Sequence, residues 1–148
     1  MNTTILENNI NSQSNKIDEE LYSRQIIFLG METMEKISQL KILIIGLRGL
    51  GVEIAKNIIV SGPNKVTIFD PNQVQIKDLG SNFYLCENDI GKRRDKACIQ
   101  KLKKLNKYVN VNYFTENNLD DVLSKIIGNY NVVIVSEIIQ KKIYLVIR

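Results

Sequence analysis

The stretch KILIIGLRGLG, residues Lys41–Gly51, decides which fold this chain can adopt. The four apolar residues after Lys41 lead directly into Gly46, and further glycines follow at Gly49 and Gly51 before a segment with helical periodicity. A buried strand, a tight turn and a helix start in this order are typical of the opening of a Rossmann unit. Asp70 lies 19 residues after Gly51, at the end of a second strand-like run. A carboxylate at this spacing is where such a unit binds the ribose of a nucleotide.

The turn departs from the usual phosphate-binding pattern at one position. In G-x-G-x-x-G the middle glycine lets the backbone approach a pyrophosphate, and here that position is Arg48. Its guanidinium either fills the volume that a phosphate needs or reaches out to bind one. The simpler interpretation is that Gly46, Gly49 and Gly51 only shape the turn and the helix–strand contact. The sequence thus predicts a degenerate nucleotide site made of Gly46, Arg48, Gly49, Gly51 and Asp70.

Composition excludes several classes of function. The chain has 148 residues, enough for one domain, with a net charge of +4 and no interleaving of basic and aromatic residues, so we expect no nucleic-acid partner. No apolar run approaches the roughly 20 residues that span a bilayer, so we expect no membrane partner. There is no histidine, and Cys86 and Cys98 are the two cysteines. We therefore expect no zinc site, no Cys–His nucleophile and a reducing compartment.

Apolar runs alternate with amphipathic segments along the chain. This predicts an α/β fold, a Rossmann-like parallel sheet with helices on both faces. Residues 1–16, rich in Asn, Ser and Thr, are predicted to be a disordered arm, and 17–148 to form one partial domain. Few residues follow the last strand-like run, so we expect a truncated sheet that leaves apolar surface exposed. The predicted strands cover 42–45, 65–69, 109–114 and 132–135, and the first and last of them are predicted to be buried. The predicted helices cover 18–29, 32–40, 52–60, 91–106 and 119–127.

The basic segment after Asp89 is interpreted as an amphipathic helix. Asp89 is predicted to be its N-cap, and the charge run over 92–96 is interpreted as a solvated face. Cys98 falls on the apolar stripe of this helix and is predicted to lie in the core. Cys86 is predicted to be a packed loop residue, and neither thiol is expected to act as a nucleophile.

Three segments together resemble a known family. YSRQIIFLG at 22–30, GLRGLGVEIAKN at 46–57 and SNFYLCENDIGKRR at 81–94 are similar, in this order and spacing, to the N-terminal half of ubiquitin-activating enzymes. These belong to the wider group of ThiF- and MoeB-like adenylating enzymes, in which the smaller subunit of the SUMO-activating enzyme is a close second match. The resemblance covers about 21–137.

The resemblance implies two copies of an adenylation fold that face each other. One copy binds ATP and Mg²⁺ and joins AMP to the C-terminal carboxylate of the modifier; the other has decayed, and this chain resembles the decayed one. Arg48 stands where active copies have a glycine, Asp78 and Ser81 where they have Asn and Arg, and Arg94 where they have a phosphate-binding Lys. The aspartate that helps to hold Mg²⁺ falls near Ile138. We therefore expect no cofactor on this chain, with ATP and Mg²⁺ bound in the partner half.

One residue is expected to serve catalysis in trans. In this family the arginine of the Y-x-R-Q segment crosses to the γ-phosphate in the active copy, and that position is Arg24. The implied partners are an active adenylation half, in the same chain or a separate subunit, and ubiquitin or a ubiquitin-like modifier. The implied location is the cytoplasm and nucleus. The thioester cysteine of the family lies in a separate domain, and neither cysteine here matches it.

Two other functions remain open from the residues themselves. A stand-alone nucleotide-binding protein, such as a small dehydrogenase, is indicated by Asp70 and the glycine turn, but Arg48 and the lack of a substrate domain count against it. A non-enzymatic interaction module is the other alternative.

Overall fold

A computed structural model describes residues 17–126 and 128–137 of the chain. Within these ranges the structure is a four-stranded parallel sheet with five α-helices and two short 3₁₀ helices, Ile76–Gly80 and Glu87–Asp89. In chain order the elements are α1 (Ser23–Leu29), α2 (Met31–Ile37), β1 (Lys41–Ile45), α3 (Gly49–Ser61), β2 (Lys65–Phe69), α4 (Arg94–Lys103), β3 (Asn110–Tyr113), α5 (Leu119–Ile126) and β4 (Val132–Val135).

The strands lie in the order β3-β2-β1-β4, all parallel. β1 is central, with Ile42 opposite Val66 of β2 on one side and opposite Val132 of β4 on the other. The chain therefore moves outward from β1 to β3 and then crosses to the far side of β1. A crevice forms at such a reversal, at the carboxyl ends of the strands, and the glycine turn after β1 lies there.

Helices cover both faces of the sheet, as the sequence predicts. Because side chains alternate along a strand, Ile44 and Ile68 point to one face and pack with Ile59 of α3 and Leu102 of α4. On the other face Leu43, Ile45 and Phe69 pack against α5 through Leu119, Val122 and Ile126. The prediction of an α/β Rossmann-like parallel sheet is confirmed.

Three predicted helices, α1, α2 and α4, are shorter than their sequence pattern. Residues 19–22 form turns, and α1 begins only at Ser23, because Asp18 accepts a hydrogen bond from the Leu21 N–H and closes a local turn instead. Asp89 is not the N-cap of α4, which begins at Arg94. Its carboxylate accepts hydrogen bonds from the backbone and thiol of Cys86 and so closes the second 3₁₀ helix.

Some predictions of burial were wrong. Val132, Val133 and Val135 of β4 are 39–42% exposed, because within the described ranges β4 is an edge strand. Cys86 is exposed rather than packed, while Cys98 is buried in the core as predicted. The predicted arm, residues 1–16, and Ile138 lie outside the described residues. None of the described helices is long and apolar enough to cross a membrane.

Candidate functional site

The glycine turn between β1 and α3 is built around close contacts with the end of β4. Gly46 has φ +91°, and a Cβ there would lie 2.7 Å from the Cβ of Glu137 and 2.9 Å from Ser136 Oγ. A Cβ on Gly51 would lie 2.1 Å from the carbonyl oxygen of Gly46 and 2.5 Å from Ser136 Oγ. Contacts this short leave no room for a side chain at either position. The packing of the chain itself therefore requires these two glycines.

The third glycine of the turn meets a different part of the chain. A Cβ on Gly49, the first residue of α3, would lie 2.8 Å from the Cβ of Ser81. Ser81 follows the first 3₁₀ helix and lies against the beginning of α3. In nucleotide-binding Rossmann units the pyrophosphate occupies the N-terminus of this helix. Here the chain itself approaches that helix start.

Asp70 lies at the end of β2, as the sequence predicts, and its carboxylate is already bound within the protein. The residue is fully buried, and its Oδ2 accepts hydrogen bonds from the Leu47 N–H at 2.8 Å and from Arg94 Nη1 at 2.5 Å. Its Oδ1 accepts a bond from the Asn72 N–H at 3.2 Å. A ribose hydroxyl would have to compete with these donors for Asp70.

Arg94 is the residue that joins Asp70 to the rest of the site. The interpretation of its charge run as a solvated face was wrong at this position, because the Arg94 side chain is 1% exposed. Its Nη2 and Nε lie 3.1 and 3.3 Å from Asp78 Oδ2, so one guanidinium bridges two buried carboxylates. A planar fork of donors suits such bridging. Burial acts to lower the pKa of Arg94, but the bonds with Asp70 and Asp78 outweigh it and raise that pKa.

Asp78 is held as the anion by the same contacts. Burial acts to raise the pKa of the Asp78 carboxyl, but a bond from the Gln75 N–H and the Arg94 guanidinium outweigh it and lower that pKa. Asp78 also stands 4.0 Å from Arg48 Nε, which brings the turn residue into the same group of charges.

Glu137, two residues after β4, is a site residue that the sequence reasoning missed. Its Oε1 lies 3.0 Å from Arg48 Nε and its Oε2 lies 3.7 Å from Arg94 Nη1. Oε2 is buried and has no hydrogen-bond partner among the residues that the structure describes. The rule that placed Asp70 at the carboxyl end of its strand also applies to the residues just after β4, and it could have found Glu137.

The five charged residues Arg48, Asp70, Asp78, Arg94 and Glu137 form one cluster, which we call the charge cluster. It sets two guanidinium groups against three carboxylates, so it carries no excess positive charge with which to attract phosphates. The residues at the turn do not fit a nucleotide bound in the Rossmann manner, because the ribose-binding carboxylate is engaged and Ser81 approaches the helix start. No group of three or more Cys, Asp or Glu residues suited to a metal ion is found within 17–126 and 128–137.

Arg24 lies apart from the turn residues. It is exposed on α1, in a groove of about 500 Å³ lined among others by Tyr22, Val60 and Asn106. Val60 is near the C-terminal end of α3, whereas the glycine turn precedes its N-terminus. The 13 residues of α3 put about 20 Å between these two ends. The structure thus brings Gly46, Arg48, Gly49, Gly51 and Asp70 together and leaves Arg24 at a separate surface.

The two thiols differ in environment. Burial raises the pKa of the Cys98 thiol to about 11, which leaves it protonated and unreactive at neutral pH. Cys86 is exposed, and its Sγ lies 3.0 Å from a carboxylate oxygen of Asp89. The buried Cys98 thiol therefore does not have the surroundings of a nucleophile.

Comparison with known proteins identifies relatives of the chain. Its residues 22–136 match the ThiF family. It is 44% identical over 135 residues to ubiquitin-activating enzyme E1 1 of Schizosaccharomyces pombe, covering 89% of this chain and 13% of that protein. It is 48% identical over 114 residues to human ubiquitin-like modifier-activating enzyme 1, covering 77% of this chain and 11% of that protein. The chain thus spans only about an eighth of the length of these relatives.

Solved structures with the same fold are more distant in sequence. The E. coli tRNA N6-threonylcarbamoyladenosine dehydratase TcdA, in complex with ATP, superposes with a TM-score of 0.71 at 15% identity over 80% of this chain and 49% of that one. E. coli MccB with ATP also gives a TM-score of 0.71, at 22% identity over 82% of this chain and 38% of that one. The resemblance to ubiquitin-activating enzymes is confirmed over most of the sequence, and the chain belongs to the ThiF family.

Proposed function

We propose that this chain is the non-catalytic adenylation half of a ubiquitin-activating enzyme. Identities of 44–50% to such enzymes over most of the chain support the assignment to this group rather than to a dehydrogenase. In the proposed assembly it pairs with an active, ATP-binding adenylation half, either in one polypeptide or as a separate subunit. The modifier is ubiquitin or a ubiquitin-like protein, and the expected location is the cytoplasm and nucleus.

The observation that carries the proposal is the bond between Arg94 and Asp70. The side chain that replaces a phosphate-binding lysine is 1% exposed and lies 2.5 Å from the carboxylate that would bind ribose. Displacing a guanidinium from two buried carboxylates costs several kcal/mol, and a nucleotide would have to supply that energy. We therefore infer that this half binds neither ATP nor Mg²⁺, and that both are held by the partner half.

Arg24 is the one residue of this chain that the proposal places in the reaction. It is exposed, and none of the ion pairs found among the described residues involves it, so its guanidinium is free to bind an anion from another molecule. In adenylation a carboxylate oxygen of the modifier attacks the α-phosphorus, the bond from that phosphorus to the bridging oxygen breaks, and pyrophosphate leaves. Arg24 would neutralise charge on the γ-phosphate of that leaving group.

The test is modifier-dependent exchange of pyrophosphate into ATP by the enzyme assembled with its active half. Arg24→Ala should slow this exchange by between about tenfold and about 10³-fold, the upper value being that of arginine fingers in other phosphoryl-transfer enzymes. Lys36→Ala, on the neighbouring helix α2 with a side chain 74% exposed, is the matched control and should leave the rate unchanged.

The stability of both variants should equal that of the wild type, since each changes an exposed side chain. An unchanged exchange rate in a normally folded Arg24→Ala enzyme would show that Arg24 is only a surface residue. In that case the proposed role in trans is wrong.

A further inference from the structure

Helix α1, which carries Arg24, buries few of its own side chains against the rest of the protein. None of its seven residues is buried, and Ile27 and Phe28 are 86% and 87% exposed. A short helix without a fully buried side chain gains little stability from its own packing. Its direction must therefore depend strongly on the residues at its two ends.

The residue just before α1 is firmly anchored. Tyr22, the N-cap position, is 7% exposed and lies two residues before Arg24. Its hydroxyl oxygen accepts a hydrogen bond of 2.6 Å from Nδ2 of Asn106, which is 6% exposed. The same Nδ2 also donates to the carbonyl oxygen of Ile59 at 3.0 Å, near the end of α3. A single amide thus links the turn before α1 to α3 and to the loop between α4 and β3.

The Tyr22 ring also packs closely against Gly62. Gly62, which ends α3, has φ +87°, and a Cβ at this residue would lie 2.6 Å from the Tyr22 hydroxyl oxygen. Tyr22 therefore lies directly against backbone. A second attachment stands beside it, because the Tyr108 hydroxyl donates to Asp18 at 2.6 Å.

We propose that Tyr22, through the hydrogen bond between its hydroxyl and Asn106, positions Arg24 for its action on ATP in the partner half. This inference rests on the function proposed above. Tyr22, Asn106 and Arg24 line one groove, so the anchor and the guanidinium belong to the same surface. Tyr22 is a positioning residue and does not touch substrate. Because catalytic groups lose about 10²-fold in rate when misplaced by about 1 Å, a loose anchor should reduce turnover even when Arg24 is present.

The test uses Tyr22→Phe, which removes the hydroxyl and keeps the ring, in the assembled enzyme. We expect pyrophosphate exchange at saturating ATP to fall about tenfold, by a smaller factor than a full 1 Å displacement would cause. The KM for the modifier should stay unchanged, and the free energy of unfolding should fall by no more than the contribution of one lost hydrogen bond. The matched control is Tyr130→Phe, which removes a hydroxyl that donates to Thr67 Oγ1 at 2.9 Å on the other face of the sheet. The control should exchange pyrophosphate at the wild-type rate.

A double-mutant cycle separates positioning from general damage. In the Arg24→Ala background Tyr22→Phe should cause no further loss, because Tyr22 acts only through Arg24. An additional tenfold loss in that background, or a normal rate for Tyr22→Phe alone, would overturn the inference and leave the role of Arg24 intact. A normal rate for Arg24→Ala would instead overturn the proposed role of Arg24 in trans, and the positioning role of Tyr22 with it.

Discussion

Replacing Arg94 by methionine is the most direct way to test the account of the charge cluster. Arg94 is 1% exposed and bridges Asp70 and Asp78, whose side chains are 0% and 3% exposed. Methionine keeps the bulk of the aliphatic stem of arginine and carries no charge, so the Arg94→Met variant leaves both carboxylates buried without their cation. Breaking a buried ion pair by removing one partner typically costs about 3–5 kcal/mol.

Hydrogen bonds that remain in the variant keep the expected loss of stability within that range. Asp70 keeps its bonds from the N–H groups of Leu47 and Asn72, and Asp78 keeps its bond from the N–H of Gln75. These remaining donors reduce the penalty for each carboxylate, so the two losses do not simply add. We expect the free energy of unfolding to fall by about 3–5 kcal/mol in total, which is a large part of the stability of an ordinary domain.

The assay is urea unfolding at neutral pH, with two companion variants. Lys96→Met makes the same change in charge at an exposed position of the same helix and should cost less than about 0.5 kcal/mol. Adding Asp70→Asn and Asp78→Asn to Arg94→Met removes the uncompensated charges. This triple variant should recover at least about 2 kcal/mol, because a buried neutral amide costs far less than a buried unpaired carboxylate.

Two results would refute the reasoning. If Arg94→Met unfolds within about 1 kcal/mol of the wild type, the guanidinium is not an essential counter-charge for the two aspartates. If the triple variant is no more stable than Arg94→Met, the loss comes from packing around the side chain rather than from unpaired charge.

Three further outcomes follow from the same geometry. Calorimetry should show no micromolar binding of ATP with Mg²⁺, because Asp70 is engaged by Arg94; a Mg²⁺-dependent micromolar affinity would revive the stand-alone nucleotide-binding interpretation. In the same urea assay Gly51→Ala should lower the free energy of unfolding by at least about 2 kcal/mol, since its Cβ would lie 2.1 Å from a backbone oxygen. Gly80→Ala is the control and should change that free energy little, because a Cβ there would have nothing within 4 Å. Asp89→Asn should lower the free energy of unfolding by about 1–2 kcal/mol near pH 6, and by progressively less between about pH 4 and pH 2, because bonds from Cys86 and Lys92 hold the pKa of Asp89 at about 2. A loss of stability that did not change with pH would contradict this.

The sequence was most informative where structure depends on local pattern. The apolar runs predicted β2 and β4 with the bounds that the structure has and β1 to within one residue, and the spacing of three glycines predicted the turn and the helix after it. These features need only neighbouring residues, because strand alternation and a positive φ are properties of the chain over a few positions. The same stretches also carried the family resemblance.

The sequence was least informative where charged residues meet across the sheet. The basic run over 92–96, at the start of α4, has the pattern of a solvated face, and nothing within it shows that Arg94 turns inward to Asp70, 24 positions earlier. The position of Glu137 just after β4 could have suggested a role, but its ion pairs with Arg48 and Arg94 join residues that are far apart along the chain. The exposed valines of β4 were expected to be buried because their apolar run is like those of the central strands.

The sequence by itself therefore determined the α/β class, the parallel sheet, the glycine turn and the family of this protein. Only the tertiary structure decided that Arg94 is a buried bridge and that Glu137 joins the charge cluster. It also placed the Tyr22 anchor at the far end of α3 from the glycine turn. The physical reason is that the energy of a charged or polar side chain depends on burial and on which partners lie within a few ångströms. Those partners come from the ends of separate strands and from distant loops, and only the folded sheet brings them together.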